Sequence, residues 1–214
     1  MRLSQRVKHI LEELNLAYPM PECALRYEKP YELLIATRLS AQCTDERVNK
    51  VTPALFERFP TLGSFAAADV AEVEEYVRSC GFYHAKAQNI VDMCRMLAES
   101  YGGVVPDTVE ELTKLPGVGR KTANLIVGDV YGKPAVVADT HCIRITNLLG
   151  LCDSKDPYKV ELRLREILPP ADSNRFCHQL VWHGRKVCVA RRPNCAACTL
   201  APYCDHMTPS RGKK

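Results

Sequence analysis

A chain of 214 residues is long enough for a substantial hydrophobic core and for two compact lobes; with 46% apolar and 25% charged residues it reads as a soluble globular protein. No unbroken apolar run reaches membrane-spanning length, and residues 1–18 mix Arg, Lys and Glu with Leu and Ile where a signal peptide would be apolar, so the expectation is a cytoplasmic, nucleoid-associated protein with no membrane partner. That compartment disfavours stable disulfides, so the 11 cysteines need another explanation, and a net charge of +4 is by itself a weak hint of nucleic acid.

Along the chain the pattern is helix after helix. Residues 6–16 place Ile10, Leu11 and Leu14 at helical intervals, and residues 31–39 and 48–59 repeat the behaviour with long apolar faces. Short segments follow at 62–67 and 70–77. Residues 84–101 predict a longer helix with Ile90, Val91, Met93, Met96 and Leu97 on one side, ended by Gly102 and Gly103. Asp107 and Glu110 read as a cap pair for a short helix running to about Leu115, Pro116-Gly117-Val118-Gly119 interrupts it, and an apolar helix spans 120–130. Residues 140–149, 158–167 and 174–189 complete the set. No alternating segments are long enough for a sheet, so the fold class is all-α, a bundle of helical hairpins. Gly132-Lys133-Pro134 is the best internal boundary by turn chemistry.

Leu115-Pro116-Gly117-Val118-Gly119-Arg120-Lys121 is the central signal. Gly117 and Gly119 permit a tight reversal in backbone conformations that bulkier residues resist, with Leu115 and Val118 as anchors. Such a turn presents amide hydrogens at a helix start, where they can hold a DNA phosphate without reading a base, and Arg120 and Lys121 add two cations there. An ordinary helix connection is the bland alternative. Lys121 falls in the first helical turn, where the positive helix end disfavours an ammonium. A neutral amine can attack an electrophilic carbon and form a Schiff base; a solvated lysine is the alternative.

Asp139 follows the apolar run 135–138 and precedes a helix, which it can cap. A carboxylate fixed there can also orient the lysine, assist proton movement or face positive charge on a sugar, and the roles are compatible. His141 suits phosphate binding or local turn structure better than metal binding.

Cys188, Cys195, Cys198 and Cys204 form a C-x6-C-x2-C-x5-C array within 17 residues. A four-iron cluster and a structural zinc ion both satisfy the ligand rule; zinc usually uses two close pairs, and only Cys195 and Cys198 form one. The other seven cysteines lie in mostly apolar surroundings and read as small packing residues. Residues 183–214 carry Arg185, Lys186, Arg191, Arg192, Arg211, Lys213 and Lys214 against Asp205 alone, which directs a phosphate-bearing partner to this end, with a merely soluble basic rim as the alternative. Arg191 and Arg192 sit inside the x6 loop, where a rigid cluster would hold them for DNA. Residues 209–214 read as a loose tail.

Together the hairpin lysine, the aspartate in Val137-Ala138-Asp139-Thr140-His141, the cysteine array and the string Leu39-Ser40-Ala41-Gln42-Cys43-Thr44-Asp45 resemble the endonuclease III family of base-excision repair enzymes, over nearly the whole chain. The resemblance implies two helical lobes around a DNA-binding cleft, within the helix-hairpin-helix glycosylase fold. One is a six-helix barrel over 23–132; the other joins 1–22 to 133–214 and carries a 4Fe-4S cluster. It implies Lys121 as nucleophile, Asp139 as catalytic carboxylate, Gln42 as the residue entering the gap left by a flipped nucleotide and Phe82 at the neighbouring wedge. Leucine is common at that wedge, so Phe82 is a departure, although any bulky apolar side chain can part stacked bases. Arg38 also stands where the family commonly has an apolar residue.

The implied partner is damaged double-stranded DNA, bound by a monomer. The implied reaction is excision of an oxidised pyrimidine, a Schiff base at Lys121 and β-elimination on the 3′ side of the abasic site. Two alternatives remain at this point. A monofunctional glycosylase, including the mismatch adenine type, uses water and does not need the amine. A non-enzymatic DNA-binding module needs neither Lys121 nor Asp139.

Overall fold

The computed structural model describes residues 1–207, and among these there are eleven α-helices and no strand. They are α1 (Leu3–Ala17), α2 (Pro30–Ser40), α3 (Asp45–Arg58), α4 (Leu62–Ala66), α5 (Val70–Val77), α6 (Tyr83–Ser100), α7 (Val109–Leu112), α8 (Arg120–Asp129), α9 (Thr140–Leu148), α10 (Pro157–Ile167) and α11 (Ser173–Lys186). No helix among the described residues is long and apolar enough to cross a membrane. The chain forms two compact units, Cys23–Gly132 and Met1–Glu22 with the chain from Lys133 onward. Arg211, Lys213, Lys214 and the tail expected at 209–214 lie outside the described residues.

In the unit Cys23–Gly132, α2 is buried nearly all round, with Leu33, Leu34, Ile35, Ala36 and Leu39 fully inside, and it packs on α3, α6 and α8. A helix apolar on every side is stable only when enclosed in this way. Phe65 from α4 fills the space beside it, ringed by Tyr31, Phe56 and Phe59, with the Phe59 ring 5.0 Å away. Ile90, Met93 and Leu97 of α6 turn inward, whereas Met96 is half-buried beside Pro116 in a groove with Asp92 and Arg95.

In the other unit α1 and α9 pack on α11. Ile10 and Leu14 of α1 and Phe176 and Leu180 of α11 are fully buried, each worth about 1.5–3 kcal/mol relative to exposure.

Several boundaries differ from the sequence expectation, two of them for reasons of capping. Helix α3 begins at Asp45 because the Thr44 hydroxyl accepts from the Arg47 N–H at 3.2 Å. The short helix α7 is capped by Thr108, whose hydroxyl accepts from the Glu111 N–H, and not by the pair Asp107 and Glu110; it stops at Leu112, before Leu115. Helix α11 ends at Lys186, three residues short of Val189, where the chain turns toward the first cysteine of the array.

Candidate active site, DNA-contact loops and cysteine loop

The hairpin joins α7 to α8. Leu115 and Val118 are buried and tie the turn to the core, with the Val118 N–H donating to the Leu115 carbonyl at 3.1 Å. Gly117 has φ +76°, and a Cβ there would stand 2.9 Å from both Arg38 Nε and Asn89 Oδ1. Arg38 thus packs beneath the turn, its Nε buried without a hydrogen-bond partner.

Gly119 departs from the sequence expectation. Its backbone is ordinary extended chain (φ −91°, ψ 171°), and nothing lies within 4 Å of a Cβ built on it. Only Gly117 is required by the fold. Gly119 is the N-cap of α8 and brings no side chain to the first-turn amides, which leaves a bare positive helix end facing out. Gly119, Arg120 and Lys121 are all exposed, and among the described residues Lys121 makes no ion pair.

Gln42 and Phe82 share a property that nothing in their residue types announces. They are the two non-glycine residues with positive φ among those described, at 55° and 48°. Such a conformation costs an L-residue on the order of 1 kcal/mol, and persists where surrounding structure enforces it. Gln42 follows the end of α2, Phe82 caps α6 after Gly81, and both side chains are exposed, Phe82 by 69%. Near both positions lies Lys86, only 1% exposed, whose ammonium donates to the carbonyls of Leu39 and Cys80 at 2.8 Å each. One buried cation therefore holds the chain just before both loops.

Asp139 is half-buried at the N-cap of α9, and its Oδ1 accepts from the Cys142 N–H at 2.7 Å. The segment leading to it is stitched to α11: the Ala135 N–H donates to Ser173 Oγ and the Val137 N–H to Cys177 Sγ. The carboxylate is fixed from both sides. The His141 ring lies against Gly184, where any Cβ would fall 2.3 Å from Nδ1, so this imidazole is seated on α11.

Cys188, Cys195, Cys198 and Cys204 are half-buried and line one cavity of about 220 Å³. Short 3-10 turns at Cys195–Ala197 and Ala201–Tyr203 fold the chain back, and the Asp205 N–H closes the loop on the Leu148 carbonyl at 2.9 Å. Arg144 donates to the Cys188 carbonyl at 2.6 Å and to its sulfur at 3.3 Å. His183 Nε2 lies 3.5 Å from Cys198 Sγ; burial, with Arg144 nearby, holds this imidazole down to about 4, hence neutral. The Arg6 guanidinium meets Asp205 at 3.0 Å and the Leu149 carbonyl at 2.9 Å, tying α1 to the loop. Arg191 and Arg192 are exposed on the bend between Cys188 and Cys195.

Lys86, Arg144 and His183 were not singled out by the sequence. Lys86 left a trace there: it stands with Ile90, Met93 and Leu97 on the apolar face of its helix.

The profile of the HhH-GPD superfamily base excision DNA repair proteins matches residues 35–170. Endonuclease III of Synechocystis sp. is 47% identical over 201 residues, covering 94% of this chain and 92% of that protein. Endonuclease III of Bacillus subtilis is 40% identical with the same coverage. A solved structure of a trapped endonuclease III–DNA covalent intermediate superposes with a TM-score of 0.91 at 41% identity, over 98% of this chain and 99% of that one. With its all-helical two-lobed fold and its hairpin, the chain belongs to the endonuclease III family of the HhH-GPD base-excision DNA repair proteins.

Proposed function

We infer that this base-excision DNA glycosylase and AP lyase removes oxidised pyrimidines from duplex DNA, as a monomer, with Lys121 as nucleophile and Asp139 as its supporting carboxylate. The observation that carries the assignment is the exposed Lys121 amine in the first turn of α8, without an ion pair among the described residues, directly after a bare helix end suited to a phosphate. Arg120 adds charge at that helix start, His141 and the arginine pair 191 and 192 offer further phosphate contacts, and Gln42 and Phe82 enter the stack as the damaged nucleotide leaves it.

In the reaction the Lys121 Nζ lone pair attacks C1′ of the extruded nucleotide. The glycosidic bond breaks, and the base departs with its electron pair and takes up a proton. The nitrogen gives up a proton, the C1′–O4′ bond breaks with O4′ taking up a proton, and the nitrogen lone pair forms the C1′=N bond of the Schiff base. A proton then leaves C2′, and its electrons expel the 3′ phosphate, cutting the strand. Asp139, with one oxygen engaged by its helix cap, keeps the other for these proton movements and for positive charge on the sugar.

Cys188, Cys195, Cys198 and Cys204 would hold a 4Fe-4S cluster. One zinc ion draws its ligands to a single point, with sulfurs about 2.3 Å from it. A cavity of about 220 Å³ with cysteines around its wall fits a cage-shaped group better. When bound, the cluster supplies bonds that cross-link the loop carrying Arg191 and Arg192.

Borohydride reduction tests the assignment. With damaged duplex the enzyme gives a covalent protein–DNA adduct, and Lys121→Ala gives none; an adduct of undiminished yield from Lys121→Ala overturns it.

A further inference from the structure

The hairpin rests on a cation that the fold leaves without a counterpart. Arg38 stands in the last turn of α2, half-buried, and its Cδ and Nε would lie 3.0 and 2.9 Å from a Cβ at Gly117. The Nε is enclosed and has no acceptor, while the two terminal nitrogens keep contact with solvent. Among the described residues Arg38 makes no hydrogen bond and no ion pair. A guanidinium cannot shed its charge and carries five donors in a fixed plane, so this one keeps all of its donors open.

Two other arginines show what enclosure ordinarily demands. Arg6 gives its guanidinium to the Leu149 carbonyl and to Asp205. The half-buried Arg144 gives its own to the carbonyl and the sulfur of Cys188. Arg38 is packed against the turn but has no acceptor on the protein side. Enclosing its Nε unpartnered costs free energy, and a charge-assisted bond at the terminal nitrogens offsets that cost.

Gly117 also fixes how far this cation lies from the phosphate-holding helix end. The Arg38 Nε is no more than about 12 Å from the Cα of Gly119, the N-cap of α8, because consecutive Cα atoms stand about 3.8 Å apart. Successive phosphates of one strand advance about 3.4 Å along the duplex axis. A strand seated on the α8 amides therefore brings that phosphate or a near neighbour into reach of the guanidinium.

We propose that Arg38 is a further DNA-binding residue, whose guanidinium takes a backbone phosphate of the strand held at the hairpin. The proposal rests on the reading of the hairpin and the α8 end as a phosphate site. The stem is already wedged against Gly117, so little side-chain freedom is lost on binding. A phosphate carries no sequence information, so Arg38 strengthens undamaged and lesion duplex alike and serves the search along DNA as much as the capture of a lesion.

The test measures binding isotherms of cluster-loaded enzyme at several salt concentrations, on undamaged duplex and on duplex carrying a reduced abasic-site analogue that the lysine cannot attack. Arg38→Met keeps an unbranched stem and removes the charge. It should flatten the slope of log affinity against log salt by about 0.9 on both duplexes. Its affinity deficit should then shrink about 3.5-fold between about 0.05 and 0.2 M salt. Its unfolding midpoint should hold or rise, because an enclosed unpaired donor is gone. Arg38→Lys should keep the parent slope, since an ammonium also neutralises a phosphate.

A parental slope in Arg38→Met overturns the proposal. So does equal flattening in Arg38→Lys, which would assign the effect to the shape of the stem, and so does a deficit confined to the abasic duplex, which would put the guanidinium on the lesion. Gly119→Ala separates this contact from the hairpin reading, since it leaves Arg38 in place. Undiminished affinity in Gly119→Ala counts against a phosphate at the α8 end, while the slope of Arg38→Met still judges the guanidinium.

Discussion

Lys86 and Leu39 are joined by a buried hydrogen bond of 2.8 Å, from an ammonium in α6 to the last turn of α2, and the same ammonium spans to the Cys80 carbonyl. Lys86→Met leaves two buried carbonyls without a donor, at about 1–3 kcal/mol each. It also removes the cost of enclosing a charge, so the net loss should be about 2 kcal/mol. The unfolding midpoint should fall by about 4–8 °C. Nearly all molecules remain folded at 25 °C after such a loss, yet lesion-duplex binding should weaken, because the loops bearing Gln42 and Phe82 lose their shared anchor. Binding unchanged alongside a lowered midpoint would limit Lys86 to stability.

Gly117 and Gly119 look equivalent in the sequence and should respond oppositely to alanine. Gly117→Ala places a Cβ 2.9 Å from Arg38 Nε at φ +76°, so the protein should lose on the order of 1–3 kcal/mol in unfolding free energy. Gly119→Ala meets no protein atom within 4 Å, and stability should stay within about 0.5 kcal/mol. Its methyl group projects where a phosphate would approach the α8 amides, so DNA affinity should drop. Titration of both variants with a lesion duplex, together with denaturant unfolding, separates the two roles; unimpaired binding by Gly119→Ala would remove the phosphate from that helix end.

The helices were legible because their signals are local. Pro30 and Pro157 open α2 and α10, Asp139 caps α9 three residues from its partner amide, and apolar spacing marks the buried faces. The four cysteines were legible as a group because their short spacing leaves few ways not to line one loop. The groups that brace these sites were not. Arg144 finds Cys188 44 residues away, and Lys86 finds Leu39 47 residues away, through backbone carbonyls that carry no side-chain signature. The left-handed backbone at Gln42 and Phe82 was hidden for another reason: neither residue type favours it, so only the surrounding fold could impose it.

Asp139 combines a cap with a proposed chemical role, and two substitutions divide them. Asp139→Asn keeps an oxygen for the Cys142 N–H, so thermal stability should be close to that of the parent. Its neutral amide cannot accept a proton or face positive charge, and strand cleavage should fall by about 100-fold or more. Asp139→Ala should lose the activity and also about 1 kcal/mol of stability with the cap. Normal cleavage by Asp139→Asn in single-turnover assays would leave the residue a cap and nothing more.

Arg191 and Arg192 are exposed on the cysteine loop, and each should neutralise one phosphate. Every neutralised phosphate contributes about −0.9 to the slope of log affinity against log salt concentration on duplex DNA. The double substitution Arg191→Ala, Arg192→Ala should therefore flatten that slope by about 1.8 and weaken lesion and undamaged duplex alike, since phosphates carry no sequence information. Iron content and unfolding midpoint should not change, because neither side chain touches the cavity that the four cysteines line. Binding isotherms at several salt concentrations decide it. A parallel salt dependence in parent and variant would mean that this loop stays clear of the phosphate backbone, while a flatter slope with iron retained assigns the loop its electrostatic role.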